Sequence, residues 1–419
     1  MTTREHHKEN DRMRNTLKLP RVQNYHKHTD SSNVAVPDSP VQIEEYAKRC
    51  KEIGSSVLSS VEHSWQGRYH HCYNIAKENG LKFIFGTEAY WVKDRFESDS
   101  TNCHIIILAK NENGRQDINE ALSIANEDGY YRQPRLDLDL ILNKLTPTDV
   151  FITSACVGGW KYEDAEEIWL QVHKRFGDNF MLEVQYHNTP EQKELNSKIL
   201  RIAKEHDIKI IMGMDSHYID EKQSLDRDDL LASKGVSYPE EYGWYMDFPD
   251  EYTCYERFVQ QGVLSHDEII SAMENTNVLL DFEDITFDKR LKLPTLFPDK
   301  TQEEKNILYK QIISKEWNAY KVNVPEALHP RYIREIMKEV NVVINTNMAD
   351  YFLLDYYLVK KAKENGGRIT FTGRGSGSSY FTNTLLGFSN IDRVVSPVTL
   401  YPERFIAEER ILKSGSAPD

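Results

Sequence analysis

Short hydrophobic runs alternate with amphipathic stretches over the first half of the chain. The hydrophobic runs, which predict strands, are Ser56–Val61, Lys82–Phe85, His104–Leu108, Asp149–Thr153 and Lys209–Met212. The amphipathic stretches, which predict helices, lie near residues 41–53, 69–79, 114–126, 163–176 and 190–206. Such alternation is typical of parallel strands joined by crossover helices. The pattern between about residues 20 and 220 therefore predicts an α/β barrel.

The second half of the chain has a different pattern. Residues 221–290 contain acidic clusters and a Tyr/Trp-rich patch at Tyr242–Tyr245, and we interpret them as the end of the first unit and a connector. Pro294 and Pro298 lie in a polar stretch that marks a domain boundary. Residues 302–366 are predicted to be mostly helical. We expect a disordered tail over residues 1–19, a barrel with its connector over 20–290, and a second domain over 291–419.

The composition limits the class of protein. A length of 419 residues fits two or three domains, or one barrel with a partial second unit. The net charge of −14 argues against a protein that binds nucleic acid by charge alone, because phosphate contacts dominate that affinity. Bound divalent cations would offset part of this charge locally, so a metal-dependent nuclease remains open. Five scattered cysteines and the lack of a long hydrophobic stretch predict a reducing compartment, the cytoplasm, and no membrane segment.

Groups that bind metal ions lie near the ends of the predicted strands. They are His26 and His28 in an HxH pair, Glu62-His63, Glu88, His104, Cys156, and Asp215 and His217 in a DxH pair. In α/β barrels the chemistry lies at the carboxyl ends of the strands, and most of these residues follow their runs. His104 precedes its run, so this rule does not place it. Imidazole, thiol and carboxylate groups together favour zinc or manganese over calcium, and two or three such ions would suit a phosphoryl displacement.

Each of these residues, taken alone, also has an ordinary structural explanation. A single HxH pair is usually incidental, and Glu88 could form a salt bridge at the barrel rim. A lone Cys156 is more often a small buried hydrophobic residue than a ligand. The ordered series favours a multinuclear metal site, whereas His187 and the pair His70-His71 are left unassigned.

Six segments of the first half resemble the polymerase-and-histidinol-phosphatase (PHP) domain of bacterial DNA polymerase III alpha subunits. They read HKHTDSS (26–32), SSVEHSW (59–65), FGTEAYW (85–91), CHIIILAKNENG (103–114), ITSACVGG (152–159) and MDSHYID (214–220). The resemblance implies a distorted (β/α)7 barrel that binds up to three zinc or manganese ions. The implied ligands are His26, His28, Asp38, His63, Glu88, His104, Cys156, Asp215 and His217. Asp38 has Asp30 as an alternative, because the segment SSNVAVPDSP departs from the family pattern.

A loop of small residues, GRGSGSS at 373–379, suits a different chemistry. Small residues let backbone N–H groups approach phosphate oxygens and Arg374 adds donors, although such loops are also common as linkers. It is not a Walker A loop, because no Gly-Lys-Ser/Thr follows. The segments DYFL (350–353), GGRITFTGRGSGSS (366–379), LLGFSNID (385–392) and YPERFI (401–406) resemble the start of the palm of the same family. The resemblance implies that Arg374, Gly375 and Ser376 contact the incoming nucleotide.

The sequence stops inside a motif that the resemblance makes catalytic. Alpha subunits hold magnesium with a Pro-Asp-x-Asp motif and a third Asp, and here the sequence ends at Pro418-Asp419. Asp419 is the one implied catalytic carboxylate present, whereas a two-metal centre needs several. We therefore expect an incomplete α+β palm, explained by a recombinant fragment, a split gene or an intein junction.

The resemblance also implies a function, that of the N-terminal portion of a replicative DNA polymerase. The complete protein would synthesise DNA by nucleotidyl transfer. Its implied partners are primer–template DNA, deoxynucleotides, the remaining polymerase segment, a sliding clamp and other replisome subunits. The barrel itself would act as a 3′→5′ exonuclease. Two alternatives stay open, a histidinol-phosphatase-like phosphoesterase and a non-catalytic structural half of a split polymerase; segment 302–419 argues against a free phosphatase, which has no need of a palm-like unit.

Overall fold

A computed structural model of the chain describes residues 3–66, 68–287, 294–368 and 375–414. The chain divides into two compact units, Met1–Thr286 and Phe287–Asp419, which are described in turn.

The first unit contains a mixed sheet with helices packed around it. Its strands are β1 Val57–Ser60, β2 Lys82–Val92, β3 Cys103–Ala109, β4 Tyr130–Tyr131, β5 Gln133–Asp137, β6 Val150–Thr153, β7 Phe180–Val184 and β8 Ile210–Met212. Its helices are α1 Thr3–Leu17, α2 Ile43–Ile53, α3 Tyr69–Glu78, α4 Glu112–Glu127, α5 Leu138–Lys144, α6 Ala165–Phe176, α7 Pro190–His206, α8 Glu221–Ser233, α9 Glu251–Gln261 and α10 His266–Asn275. The five predicted strands and five predicted helices are confirmed, whereas β4, β5 and β7 were not predicted.

The helix ends follow local sequence signals. The side chain of Thr189 accepts a hydrogen bond from Gln192 N, and Pro190 begins α7, where a missing N–H costs nothing. Gly54 follows the last residue of α2 with a φ of 73°, a left-handed conformation that glycine adopts more easily than residues with a side chain. Such start and stop signals explain why the periodic segments predicted these helices well.

The direction of β3 differs from the expected all-parallel arrangement. The pairs β1–β2, β2–β5, β6–β7 and β7–β8 are parallel, but β3 is antiparallel to both β2 and β6. The connection between β2 and β3, residues 93–102, contains no helix. Without a crossover helix, the chain returns beside the strand it has just left, which gives an antiparallel pair.

An extended segment around Lys27 joins the two ends of the sheet. Lys27 pairs with Ser216, beyond β8, and its carbonyl oxygen accepts a hydrogen bond from Val61 N at 3.1 Å, beyond β1. This segment, β1, β2, β3, β6, β7 and β8 thus surround one core, in which Tyr25, Ile106 and Ile211 are fully buried. The α/β fold with a curled, distorted barrel is confirmed.

The first residues of the chain are helical, although the sequence predicts a disordered tail there. Helix α1 spans Thr3–Leu17, and Asn10 Nδ2 donates a 2.8 Å hydrogen bond to Asp250 Oδ2 at the start of α9. The expectation of disorder rested on polar composition, whereas this long-range contact is tertiary and leaves no local signal in the sequence.

The second unit is helical in its described residues. Its helices are α11 Gln302–Tyr320, α12 His329–Asn345, α13 Ala349–Glu364, α14 Phe381–Leu385 and α15 Glu408–Ser414. They enclose their own core, in which Tyr309, Phe352 and Phe381 are fully buried. No strand is assigned within 294–368 or 375–414, so the β part of the α+β expectation has no counterpart there. In the described parts of both units, no helix is both long and apolar enough to cross a membrane.

Candidate metal centre

Nine side chains from distant parts of the sequence converge at one end of the barrel. His26 and His28 come from the extended segment around Lys27, which we call the closing segment. The others are Asp38 from the loop before α2, His63 from just after β1, Glu88 from β2, His104 from the start of β3, Cys156 from the turn after β6, and Asp215 and His217 from the turn after β8. Eight of them are buried and His104 is partly buried. This end is the carboxyl end of the parallel strands, where barrels place their chemistry.

The antiparallel direction of β3 explains the position of His104. Because β3 runs against its neighbours, its first residues lie at the carboxyl end of the parallel strands. His104 is paired with Tyr90, and its Nδ1 atom lies 2.8 Å from Glu88 Oε1. A residue that precedes its hydrophobic run thus reaches the same site as residues that follow theirs.

Three groups of ligand atoms in this site are each compact enough to hold one metal ion. They are His28, Asp38, His63 and His217; His26, His28 and Glu88; and Glu88, His104 and Cys156, with the atoms of each group within 4.8 Å of one another. His28 belongs to the first two groups and Glu88 to the last two. The groups therefore form one connected cluster, as a multinuclear site requires.

Asp215 links the histidines of this cluster. Its Oδ1 atom lies 3.1 Å from His26 Nε2 and 3.4 Å from His28 Nε2. The backbone of Asp215 has a φ of 50°, a left-handed conformation that costs energy in any residue other than glycine. The surrounding hydrogen bonds between Ser216 and the closing segment hold this conformation, with Ser216 N donating to His26 O at 3.1 Å.

Several buried polar atoms of the cluster form no hydrogen bond of good geometry, although carboxylate oxygens lie 3.1 Å from two of them. These buried atoms are His26 Nε2, His28 Nε2, His63 Nδ1 and Asp38 Oδ2. Leaving such atoms unsatisfied is costly, and a native protein rarely does so without a reason. Imidazole nitrogens and carboxylate oxygens are suitable ligands for zinc or manganese, so the residues present fit a metal cluster.

The electrostatics of the cluster reflect its concentration of opposite charges. Burial alone would lower the pKa of His26, but Asp215 and Glu183 raise it well above its ordinary value. Burial and His63 likewise disfavour a charged His28, yet Asp215, Glu88 and Asp38 raise its pKa to about 9. The carboxylates thus favour positive charge at these imidazoles, supplied either by protons or by bound cations.

The pKa values of the Glu88 carboxylate and the Cys156 thiol are shifted in opposite directions. Burial would raise the pKa of Glu88, but His104, His26 and His28 hold it well below its usual range. Burial raises the pKa of the Cys156 thiol well above its ordinary value, and the charges of Asp215 and Glu88 add to this. A thiolate ligand is needed to bind a metal, so cation binding at Cys156 would release a proton.

Three buried charged residues form hydrogen bonds to the ligands or to residues next to them, and these roles were not predicted from the sequence. Glu183 Oε1 lies 2.8 Å from His26 Nδ1, and Glu62 accepts hydrogen bonds from Thr29 N and Thr29 Oγ1 at 3.2 and 2.6 Å. Arg227 Nε donates to Asp38 O at 2.6 Å. Glu183 was missed because β7 was not predicted, although the apolar run Phe180–Val184 between two amphipathic stretches was an available signal.

The remaining sequence candidates lie elsewhere. Asp30 pairs with Arg68 at 3.0 Å on the surface, so the structure brings Asp38 rather than Asp30 into the cluster. His71, on α3, pairs with Glu44. Gly375 and Ser376 belong to the second unit, with Gly375 at a φ of 72°. Arg374 and Asp419, the implied nucleotide contact and catalytic carboxylate, lie outside the described residues.

A cavity of about 480 Å³ opens onto the cluster. Its wall includes His63, Glu88, His104, Cys156 and His217. A cavity of this volume can admit a nucleotide-sized molecule to the proposed metal-binding atoms.

Each of the two units contains residues that match a known protein family. Residues 24–187 match the PHP domain family, and residues 308–419 match the family described as bacterial DNA polymerase III alpha NTPase domain. The DNA polymerase III subunit alpha of Aquifex aeolicus is 26% identical over 437 residues, covering 94% of this chain and 35% of that protein. The same subunit of Borreliella burgdorferi is 27% identical, covering 94% and 34%. A solved amidohydrolase structure from Chromobacterium violaceum covers 46% of this chain and 87% of its own, with 14% identity and a TM-score of 0.34.

The chain thus spans about a third of the length of the curated relatives it matches. A PHP domain is followed by a polymerase III alpha segment in one chain, and the relatives align across both. The chain therefore contains a PHP domain and a segment of the bacterial DNA polymerase III alpha NTPase domain family, and it is similar over 94% of its length to bacterial DNA polymerase III alpha subunits.

Proposed function

We propose that the barrel is a metal-dependent phosphoesterase that removes nucleotides from the 3′ end of DNA. The observation that carries this proposal is the connected, buried cluster of nine ligand-type side chains at the floor of an open cavity. The similarity of the chain to bacterial DNA polymerase III alpha subunits supplies the substrate class, because a nuclease in the same chain as a polymerase encounters DNA 3′ ends.

The proposed metal ligands are the nine residues of the sequence analysis. They are His26, His28, Asp38, His63, Glu88, His104, Cys156, Asp215 and His217. Three groups of ligand atoms support a count of up to three ions, and the mixture of imidazole, carboxylate and thiol favours zinc or manganese. Bound ions of this kind would lower the pKa of water and stabilise negative charge on phosphoryl oxygens.

The supporting residues fix the geometry of these ligands. Glu183 orients the His26 ring through Nδ1, which leaves Nε2 facing Asp215. Arg227 holds the Asp38 backbone and lies 3.4 Å from its carboxylate. Carboxylate–histidine pairs of this kind set the tautomer of a ligand and strengthen metal binding.

We further propose that the complete protein is a DNA-directed DNA polymerase, with primer–template DNA, deoxynucleotides and replisome subunits as partners. The family match over residues 308–419 and the GRGSGSS loop support this assignment. Within it, Arg374, Gly375 and Ser376 would contact the nucleotide. Asp419 would be one of several magnesium-binding carboxylates of the complete protein.

Release of mononucleotides from 3′-labelled single-stranded DNA tests the nuclease proposal. The chain would be assayed with manganese or zinc beside the double variant Asp215→Ala/His217→Ala, and metal content would be measured on the same samples. We expect the variant to lose activity to background, because it removes groups from the centre of the cluster. The matched control is His70→Ala/His71→Ala, which changes two histidines on α3 and should keep full activity.

The outcomes separate this proposal from the other two functions. Hydrolysis of small phosphate monoesters without release of nucleotides would favour a histidinol-phosphatase-like phosphoesterase. Bound metal without turnover on either substrate would favour a structural role for the barrel. Equal nuclease activity in the Asp215→Ala/His217→Ala variant would contradict the assignment of the site.

A further inference from the structure

An aromatic segment between α8 and α9 borders the metal cavity. Tyr238, Trp244 and Met246 line the cavity, whereas Tyr242 of the same segment lies outside its lining and is 92% exposed. The segment is tied to the ligand cluster, because Met246 O accepts a hydrogen bond from His217 N at 2.8 Å. Large aromatic surface at the entrance of a polar site has no evident part in metal binding.

Trp244 is held in place before any ligand arrives. Its ring stacks on the buried ring of His187, with centroids 5.0 Å apart and planes 9° from parallel. His187 Nδ1 accepts a hydrogen bond from Tyr245 N at 3.1 Å, and Trp244 N donates to Glu241 O at 2.9 Å. Glu241 in turn accepts a 2.7 Å hydrogen bond from Arg227. A side chain that is already ordered binds a planar partner at a low entropic cost.

The part of the cavity beside His104 and Cys156 has a different lining. Lys161, Asn102 and Thr101 line the cavity beside His104 and Cys156, and Lys161 Nζ donates to Asn102 O at 3.1 Å. Lys161 is the only lysine or arginine among the described residues that line this cavity. A single ammonium among amide and hydroxyl groups suits one phosphate.

We infer that Trp244 and Lys161 bind two parts of a single-stranded DNA end, a nucleobase stacked on Trp244 and a phosphate held by Lys161. This inference rests on the proposed function and deepens it, since it makes a nucleobase a requirement for tight binding. The net charge of −14 gives little long-range attraction for a polyanion, so stacking has to supply part of the affinity. Aromatic stacking is tolerant of sequence, which suits an exonuclease.

The inference is tested by measuring how tightly the chain binds a fluorescein-labelled oligothymidylate in the presence of manganese, with fluorescence anisotropy as the readout. A phosphorothioate backbone in the oligonucleotide prevents turnover during the measurement. We expect Trp244→Ala to weaken binding by about 5- to 100-fold and Trp244→Phe to restore most of it. An abasic oligonucleotide of equal length should bind the wild type weakly and should not respond to Trp244→Ala. Lys161→Gln should weaken both oligonucleotides. The controls are Tyr130→Ala, an exposed aromatic residue outside the cavity, and Lys144→Gln.

Two results would overturn the inference. One is equal affinity of the wild type and Trp244→Ala for oligothymidylate. The other is that Trp244→Ala lowers the affinity for the abasic oligonucleotide as much as the affinity for oligothymidylate. Unchanged metal content in Trp244→Ala would show that the ligand cluster is intact in that variant. If the wild type hydrolyses no phosphoester at all, the proposed function fails, while the anisotropy comparison still decides whether Trp244 binds a base.

Discussion

His26 Nδ1 lies 2.8 Å from Glu183 Oε1, and both side chains are completely buried. Glu183 also accepts hydrogen bonds from Tyr25 Oη at 2.7 Å and Thr153 Oγ1 at 2.9 Å, so its position is fixed from three directions. This hydrogen bond occupies His26 Nδ1. The other ring nitrogen, Nε2, lies 3.1 Å from Asp215 Oδ1 without a hydrogen bond of good geometry, and it is available as a metal ligand. Glu183 therefore links the barrel core to the proposed metal site.

We predict that Glu183→Gln lowers metal affinity by about 10- to 100-fold, the usual effect of removing a carboxylate behind a histidine ligand. The substitution keeps the volume of the side chain but removes the charge that orients and polarises His26. Calorimetric titration of metal-free protein with manganese or zinc measures the affinity. Glu205→Gln, at an exposed ion pair with Arg201, is the control and should bind metal like the wild type. Unchanged affinity in Glu183→Gln would show that this carboxylate has only a structural role.

The sequence predicted the elements of the barrel better than their directions. Amphipathic periodicity and end signals such as Thr189 and Gly54 are local, so the helices followed from the sequence. The antiparallel direction of β3 depends on which neighbour it pairs with, a long-range property. One signal was nevertheless available, because residues 93–102 are too polar and irregular to form a crossover helix.

The residues of the site also divide into those marked by a local sequence motif and those that depend on long-range contacts. His26, His28 and Asp215 stand in short motifs and were found from the sequence, whereas Glu183 and Arg227 act through contacts with residues more than a hundred positions away. Nothing local distinguishes Arg227 on α8 from a surface arginine. Residues that support a ligand are recognised only when the fold brings them together.

Gly158 is predicted to be essential for the position of His104. A Cβ atom at Gly158 would lie 2.7 Å from His104 Nδ1 and 2.8 Å from its Cγ, a separation that real contacts do not allow. Gly158→Ala should therefore displace the imidazole from Glu88 and Cys156 and lower the number of metal ions bound per chain. Elemental analysis of metal-saturated protein after removal of free metal measures this number.

The control for this variant is Gly377→Ala, where the nearest atom to an added Cβ is at 3.6 Å. It should bind as many ions as the wild type. A full complement of metal in Gly158→Ala would mean that His104 is not a ligand, or that the turn after β6 moves freely to make room.

In the second unit, Glu339 is predicted to be a major determinant of stability. It is fully buried on α12 and accepts hydrogen bonds from Phe381 N at 2.9 Å, Thr382 N at 2.7 Å and Arg393 Nε at 2.7 Å. It therefore satisfies the first N–H groups of α14, the helix that follows the GRGSGSS loop. Removing its charge leaves Arg393 partly uncompensated in a buried site.

Glu339→Gln should destabilise this unit by about 3 kcal/mol or more, the typical cost of breaking a buried pair from one side. Hydrogen exchange of peptides from α12 and α14, measured by mass spectrometry on the full chain, reports the loss locally. Glu403→Gln removes an exposed ion pair with Lys338 and should change stability by no more than about 1 kcal/mol. Equal protection in Glu339→Gln and the wild type would contradict the prediction.

His187 is predicted to make the barrel sensitive to acid. Burial lowers the pKa of His187 to about 3, and the nearby charge of Arg257 also lowers it, although Asp215 acts in the opposite direction. In the unfolded chain the pKa of a histidine is about 6.5, so between these values the unfolded state binds more protons. Stability contributed by neutral His187 is thus complete above about pH 7 and is lost as the pH falls from 6.5 toward 3, by at most about 1.4 kcal/mol per pH unit.

Chemical denaturation of the wild type and His187→Gln at several pH values between 4 and 8 tests this. The variant loses the stacking of His187 on Trp244, so it is expected to be less stable at neutral pH, but its stability should fall less steeply on acidification. Titration of the other histidines is common to both proteins and cancels in the difference between the two curves. Parallel curves for His187→Gln and the wild type would mean that the buried imidazole gains its proton in the folded barrel as readily as in the unfolded chain.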